Sequence, residues 1–358
     1  MGRFLMIDIG AGTMDILLYD AATGEHFKAV APSPVRLVAG RIDATQGNLL
    51  VTGVEMGGGP VTAALRRRAA DAEVLMSHSA AATLHHDMAR VRDWGIRLID
   101  EKAIDRLAGD ERYAPIVLED VQPVRIARII EGLGFPMNFD AVALCAQDHG
   151  AAPQGVSHLD FRHNLFQTML DRSPLPHTLL FRDDEVPPAF TRLGAMARGA
   201  RELGAAEVYV MDSGMAAMTG AAQDPHARGA QPVMILDVAT SHTVAAVMEQ
   251  DRVAGFVEYH TRDITLERLE ALLRELAEGR VRHDRILAEG GHGAYLRHAV
   301  GFDALGAIIA TGPKRGLLGP SRLPIIWGAP WGDNMMTGTV GLLEALRCRK
   351  GMPPIRYL

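Results

Sequence analysis

Only two cysteines occur in the 358 residues, Cys145 and Cys348. Two cannot build a disulfide framework, a four-cysteine zinc site or a cysteine-ligated iron–sulfur cluster within one chain, and such scarcity suggests a reducing compartment. No apolar run approaches the roughly 20 residues that span a bilayer, and Asp8 interrupts the N-terminal apolar stretch, so neither a membrane helix nor a signal peptide is expected. Basic blocks are equally scarce. The formal charge is −6 and the longest lysine/arginine run is Arg66-Arg67-Arg68, which argues against a nucleic-acid protein with a basic footprint. A cytoplasmic α/β protein is the expectation, long enough at about 150 residues per domain for two domains.

What is present is a repeat. Residues 3–9 and 13–19 read as two strands joined by Gly10-Ala11-Gly12, and 25–30 continue the meander after Ala22-Thr23-Gly24. Residues 233–238, 243–248 and 252–259 repeat the pattern, and placing Asp8 over Asp237 sets MIDIGAGTMDILLYD beside ILDVATSHTVAAVME. In each copy an apolar strand delivers an aspartate to its end, a turn of small residues follows, and a second strand begins near a threonine, Thr13 or Thr243. A duplicated fold is the simplest account. An aspartate beside a turn with uncovered backbone N–H groups suits magnesium and phosphate, because the amides donate to the anion and the carboxylate holds the hydrated metal. The second turn, Ala239-Thr240-Ser241-His242, has no glycine and offers hydroxyls instead.

Between the copies, 49–54 reads as a strand followed by Met56-Gly57-Gly58-Gly59-Pro60 and a helix to about Ala70, a loop whose free amides could hold a carboxylate or phosphate of a second substrate. A helix is expected over 80–94 and a strand at 96–99. Residues 141–146 read as a buried strand ending at Gln147-Asp148-His149-Gly150. Asp148 is the candidate general base, with Gln147 to orient water and His149 as auxiliary acid or base; the alternative for Asp148 is a turn aspartate capping the next element. The proline-rich stretch 172–188 reads as a loop, followed by a helix at 189–203, a strand at 207–211 and a helix from about Ser213. Later come a leucine-patterned helix from Leu266 to Gly279, a strand at 285–288 running into Gly290-Gly291, and a closing helix near 339–348. Lys314 and Arg315 could neutralise phosphate but read better as solvated surface cations. The fourteen histidines show no metal-ligand spacing such as HExxH and read as scattered surface or core residues, with His242 in the second turn the exception.

These segments resemble the actin, hexokinase and heat-shock-chaperone ATPase superfamily in order along most of the chain. IDIGAGTMD is similar to its first phosphate segment, AVALCAQDHG to the first connecting segment, ILDVATSHT to the second phosphate segment, RILAEGGHGAYL to the adenosine segment and GDNMMTGTVGLLEAL to the closing helix. VMDSGMAAMTGA is similar to the small-residue helix of the chaperone ATPases. The resemblance implies two ribonuclease-H-like lobes, each a mixed five-stranded sheet with flanking helices, closing on Mg·ATP. Lobe I would span 1–205 plus the closing helix 338–350, and lobe II 206–337. Asp8 and Asp237 would hold magnesium through water, Gly10, Ala11, Gly12 and Thr13 would bind phosphate from one side and Thr240, Ser241 and Thr243 from the other, and Gly290 and Gly291 would let the adenosine lie against backbone. The superfamily usually has glycine where Ala239 and Ser241 stand. More narrowly, MGGGP at 56–60 with QDHG at 147–150 resembles a family labelled "putative pyruvate formate-lyase activating enzyme", although radical chemistry of that kind needs three clustered cysteines.

The implied activity is phosphoryl transfer to a small-molecule acceptor. The alternatives are an ATPase acting on a protein client, as activator or chaperone, and a non-catalytic nucleotide-binding scaffold. Neither nucleic acid nor membrane is an expected partner, and a homodimer is left open.

Overall fold

The apolar runs flanking Asp8 and Asp237 are central strands of two separate sheets. The computed structural model describes residues 2–357. Strands β1 (Arg3–Ile9), β2 (Thr13–Asp20) and β3 (His26–Pro32) form an antiparallel meander. Further strands are β4 (Asn48–Gly53), β5 (Val74–Ser77), β6 (Arg97–Ile99), β7 (Tyr113–Leu118), β8 (Ala141–Ala146), β9 (Phe181–Arg182) and β10 (Glu207–Asp212). The first sheet runs β3-β2-β1-β8-β10-β9, with β8 parallel to both β1 and β10. Strand β8, AVALCA, is buried at every position, as a strand covered on both faces must be.

The second half contributes β11 (Val233–Val238), β12 (His242–Glu249), β13 (Arg252–His260), β14 (Gly293–Leu296), β15 (Ala307–Thr311) and β16 (Ile325–Trp327). Their sheet runs β14-β13-β12-β11-β15-β16, again with an antiparallel meander followed by two parallel neighbours. Five strands therefore match one for one in order and sense. Each sheet carries one strand more than the five expected, on different edges: β9 beside β10 and β14 beside β13. The first turn is closed by Gly10 N–H donating to Thr13 O (3.0 Å) and the second by Ala239 N–H to His242 O (3.1 Å). Position 10 thus matches 239, and Thr13 matches His242 rather than Thr243. Two such lobes facing each other are the actin-like ATPase arrangement.

The lobes are joined by the helices Ser213–Ala221 and Thr337–Lys350, the first packed on β11 and the second on β1 and β8. A Cβ on Gly220 would stand 1.8 Å from Thr337 O, and one on Gly341 1.8 Å from Ala216 O, so the helices meet backbone to backbone and glycine is required at both crossings. Strand β10 belongs to the first sheet, so lobe I extends through Asp212 rather than stopping at 205.

Three further differences from the sequence reading have local causes. Strands β4 to β7 form a third, all-parallel sheet, order β6-β5-β4-β7, with its own core around Leu49, Val51, Leu65 and Met76. The helix expected at 80–94 is two short ones, His78–Ala81 and Met88–Asp93, because Ser77 and Asp87 each cap a separate start. Residues 283–288 are helical, not a strand; a four-residue apolar run does not distinguish the two. Among the described residues no helix is long and apolar enough to cross a membrane.

Candidate active site

A cleft of about 580 Å³ opens between the lobes and is walled on its third side by the inserted sheet, a size typical of small-molecule sites. Both turns line it. Gly10, Ala11, Gly12 and Thr13 enter from lobe I and Ala239, Thr240 and Ser241 from lobe II. They approach so closely that a Cβ on Gly12 would meet Thr240 Oγ1 at 2.8 Å. Thr243, expected beside them, does not reach the cleft; it is 3% exposed and its hydroxyl pairs with Thr261 at 3.0 Å.

Asp8 and Asp237 open into this one cleft, together with Asp15, which faces Asp8 across the β1–β2 ladder. Apart from the strip facing the cleft, each carboxylate is surrounded by protein. Asp8 lies against the start of helix Thr337–Lys350, where a Cβ on Gly338 would stand 2.0 Å from its Oδ2. Asp237 Oδ1 accepts from the Thr311 hydroxyl at 3.1 Å, whereas Asp15 Oδ1 is buried without a partner. Burial pushes the three pKa values up to about 7, 8 and 6 for Asp8, Asp15 and Asp237; Asp237 raises Asp8 further and Asp8 raises Asp15. The three carboxylates line one cleft with no lysine or arginine hydrogen-bonded to them among the described residues. Their oxygens do not gather within 4.8 Å of one another, so this all-oxygen set fits a hydrated magnesium ion held through water and not one ligated directly by all three.

The sign of the pH effect follows. Folded pKa values above the unfolded ones mean that the native cluster holds more protons, so the contribution of these carboxylates to the stability of the metal-free protein falls as pH rises from about 4 to about 8. His149, His242 and His163, pushed by burial down to about 3, 3 and 4, act in the opposite sense, and because an unfolded imidazole is still half protonated at about pH 6.5 their contribution is complete only by about pH 7.5. His86, raised by Glu55, acts with the carboxylates. Thermal melts of the metal-free protein are therefore expected to fall from about pH 7.5 to about pH 8.5, by about 1.4 kcal/mol per pH unit for each fully titrating group, and magnesium should restore more at about pH 8.5 than at about pH 6.5. Melts insensitive to both would remove the carboxylate cluster as a cation site.

The Met56–Gly59 loop forms the opposite wall. Two of its glycines are required by packing: a Cβ on Gly57 would meet Val35 at 2.6 Å and Arg192 at 2.9 Å, and one on Gly58 would meet Thr83 O at 2.3 Å, whereas one on Gly59 would meet nothing within 4 Å. Met56 N–H donates to Thr83 Oγ1 and Gly57 N–H to Asp120 Oδ1. Arg192 fastens the loop by donating to both Asp120 oxygens (2.7 and 3.0 Å) and to Gln147 O (2.7 Å).

Gln147 and His149 line the cleft, but Asp148 does not. It is fully buried, and its two oxygens accept from Gly150 N–H (2.8 Å) and Leu193 N–H (2.9 Å). Its carboxylate is the peg of a turn, as the alternative reading had it, and the general-base role is corrected on that ground. A carboxylate that does line the cleft went unrecognised in the sequence. Glu55 Oε1 lies 3.0 Å from His86 Nε2, Glu55 Oε2 is without a partner, and both residues face the cleft beside the glycine loop.

The adenosine assignment also moves. Gly290 is an exposed helix-end glycine with φ +86° and Gly291 packs against Ile286 and Tyr259; neither lines the cleft. Gly312 and Pro313 do. They follow β15 as Gln147 and Asp148 follow β8, and Gly312, at φ +89°, brings its backbone to where a Cβ would be 2.7 Å from Asp237 Oδ1. The duplication itself held this signal, since β15 is the partner of β8. Lys314 is exposed, while Arg315 donates to Gly328 O.

A family model described as putative pyruvate format-lyase activating enzyme (DUF1786) matches residues 56–317. The chain belongs to that family. No curated protein matches it. Similar solved structures include a Bacteroides thetaiotaomicron VPI-5482 protein with actin-like ATPase fold and unknown function, at 9% identity over 96% of this chain and 95% of that one, TM-score 0.38. A ROK hexokinase from Thermus thermophilus is 14% identical over 98% and 100% of the two chains, TM-score 0.33. The activator of the 2-hydroxyisocaproyl-CoA dehydratase from Clostridium difficile, with bound ADPNP, is 9% identical over 99% of each, TM-score 0.35. The fold assignment rests on the two matched sheets and not on these likenesses.

Proposed function

We propose that the chain binds Mg·ATP in the interlobe cleft and passes the terminal phosphoryl group to a small acceptor held against Met56–Gly59. The observation that carries this reading is the convergence of Asp8 and Asp237, from equivalent strand ends of the two lobes, on one cleft whose other wall is a glycine loop. In this reading Asp8, Asp15 and Asp237 hold the magnesium through its water shell, Gly10–Thr13 and Thr240–Ser241 offer amides and hydroxyls to the phosphates, and Gly312–Pro313 meets the nucleoside. The acceptor hydroxyl gives its proton to the Glu55 carboxylate as its oxygen bonds to the γ-phosphorus; the β–γ bridging bond breaks and ADP keeps the electron pair. His86 fixes the Glu55 carboxylate through Oε1. Radical chemistry, which the family description suggests, is not supported by two cysteines as far apart as Cys145 and Cys348.

The test is a melting-temperature shift with Mg·ATP followed by a metabolite screen for acceptor-dependent ADP release. A shift plus stimulation by one chemical class of acceptor is the expected result. No shift at millimolar Mg·ATP overturns the nucleotide site, and turnover stimulated by a protein but by no metabolite replaces transfer with an activator ATPase.

A further inference from the structure

Sequence spacing hid one cluster completely. Strand pairing places His242 directly opposite His260 at the cleft end of β12 and β13, and His292, whose N–H donates to Glu258 O, stands beside them. One ring nitrogen from each lies within 4.8 Å of the other two. His260 Nε2 and His292 Nε2 are 3.0 Å apart, and two buried nitrogens, His242 Nε2 and His292 Nδ1, have no partner.

We propose that His242, His260 and His292 bind one divalent transition-metal ion of the zinc type, at a site separate from the carboxylate cluster and open to the cleft. Ligand nitrogens at about 2.0–2.1 Å from a tetrahedral ion stand roughly 3.3 Å from one another, a spacing within the span of these three rings. A single N–H···N bond between His260 and His292 leaves the third ring unsatisfied, whereas an ion satisfies all three. Imidazole nitrogens select zinc, cobalt, nickel or iron(II), while magnesium takes oxygen.

The surroundings fit. With His292 ligating through Nε2, its Nδ1 turns to Glu258, 3% exposed, whose Oε1 stands 3.7 Å away, beyond hydrogen-bond distance but on the side of the ring turned away from the ion. Glu258 is itself held by Arg162 Nη1 at 2.6 Å and by the Gln147 amide. Arg162 also grips Asp212, so lobe I anchors the carboxylate standing behind a lobe II histidine. A carboxylate behind a ligating imidazole fixes its orientation and raises its basicity. Three protein ligands leave a fourth position, as in catalytic rather than structural zinc sites. His149 marks its direction: its ring centroid stands 6.1 Å from that of His242 and 5.9 Å from that of His292, on the lobe I wall of the cleft. A water or an oxyanion can occupy the position between them. The donors are nitrogen and none is shared with the magnesium set, so the proposal stands independently of the nucleotide reading.

Protein prepared without a histidine tag and stripped with a chelator is titrated with Co²⁺, reading visible d–d absorption. With excess Mg²⁺ present to occupy the carboxylate cluster, the wild type is expected to develop the intense bands of a low-coordinate nitrogen site with one equivalent of Co²⁺, displaced by stoichiometric Zn²⁺. His242→Gln and His260→Gln should each weaken Co²⁺ binding by at least the roughly 100-fold that loss of an outer-shell partner alone can cost. Asp8→Asn and His298→Gln should leave the intense bands and their one-equivalent endpoint unchanged, which separates failure here from failure of the nucleotide site. Absent uptake, the weak bands of an all-oxygen site, or a wild-type spectrum retained in both histidine variants overturns the proposal. Should a variant fail to fold, wild-type stoichiometry and spectrum decide it.

Discussion

Asp8→Asn is expected to abolish the magnesium-dependent nucleotide shift while leaving the ligand-free protein as stable as the wild type or more so. The two effects have one cause. Asp8 sits with its carboxylate against the start of helix Thr337–Lys350, raised to about 7 by burial and by Asp237, so the ligand-free protein carries a charge it would shed if it could. Asparagine keeps the shape, which matters where a Cβ on Gly338 would already collide with Asp8, and removes the charge. Ligand at 100 times its dissociation constant stabilises the native wild type by about 2.7 kcal/mol; the variant should gain none of it at the same concentration, and Asp237→Asn should behave alike. Thermal melts with and without Mg·ATP at pH 8 read both quantities. A variant that keeps the shift removes Asp8 from the metal set, and one that loses it only by unfolding shows the carboxylate to be structural.

How far the sequence discloses this site depends on whether an interaction is local or needs the sheets assembled. The aspartates at the ends of β1 and β11 are legible because a polar residue closing an apolar strand before a small-residue turn is a local pattern, and its recurrence reveals the duplication. The glycine loop at 57–59 is legible for the same reason, although Gly57 and Gly58 are required by Val35, Arg192 and Thr83 O. Asp148 was indistinguishable from a base because no string of letters says which groups its oxygens accept from. Gly290-Gly291 enters through the resemblance of RILAEGGHGAYL to the adenosine segment, and Gly312 becomes visible only once β15 is matched to β8. The histidine cluster joins positions 242, 260 and 292, and the first two become neighbours only through the register of β12 on β13. The inserted sheet fails to announce itself because its strands, read singly, differ in nothing from those of lobe I.

Glu55→Gln is expected to lower acceptor-dependent phosphoryl transfer by about 10²–10⁴-fold, the usual contribution of a positioned base, with Mg·ATP affinity unchanged. Glutamine retains the hydrogen bond to His86 through either terminal group but cannot take a proton, so the loss should appear in kcat and not in the nucleotide shift. Asp148→Asn makes the contrast. Both oxygens of Asp148 accept backbone N–H groups, and asparagine turns one acceptor into a donor facing a donor, which costs about 1–3 kcal/mol of stability for the amide left unpaired. A lowered melting temperature with turnover preserved below it marks a turn peg, whereas full stability with lost turnover would mark a base. Should Glu55→Gln transfer phosphate at the wild-type rate while Asp148→Asn does not, the assignments of the two carboxylates would have to be exchanged. His86→Asn isolates the orienting half of the pair: with Glu55 still able to accept a proton but no longer held through Oε1, transfer should fall by less than in Glu55→Gln, and the double variant should be no slower than Glu55→Gln alone, because a residue that acts only through its partner has nothing left to orient once the partner is gone.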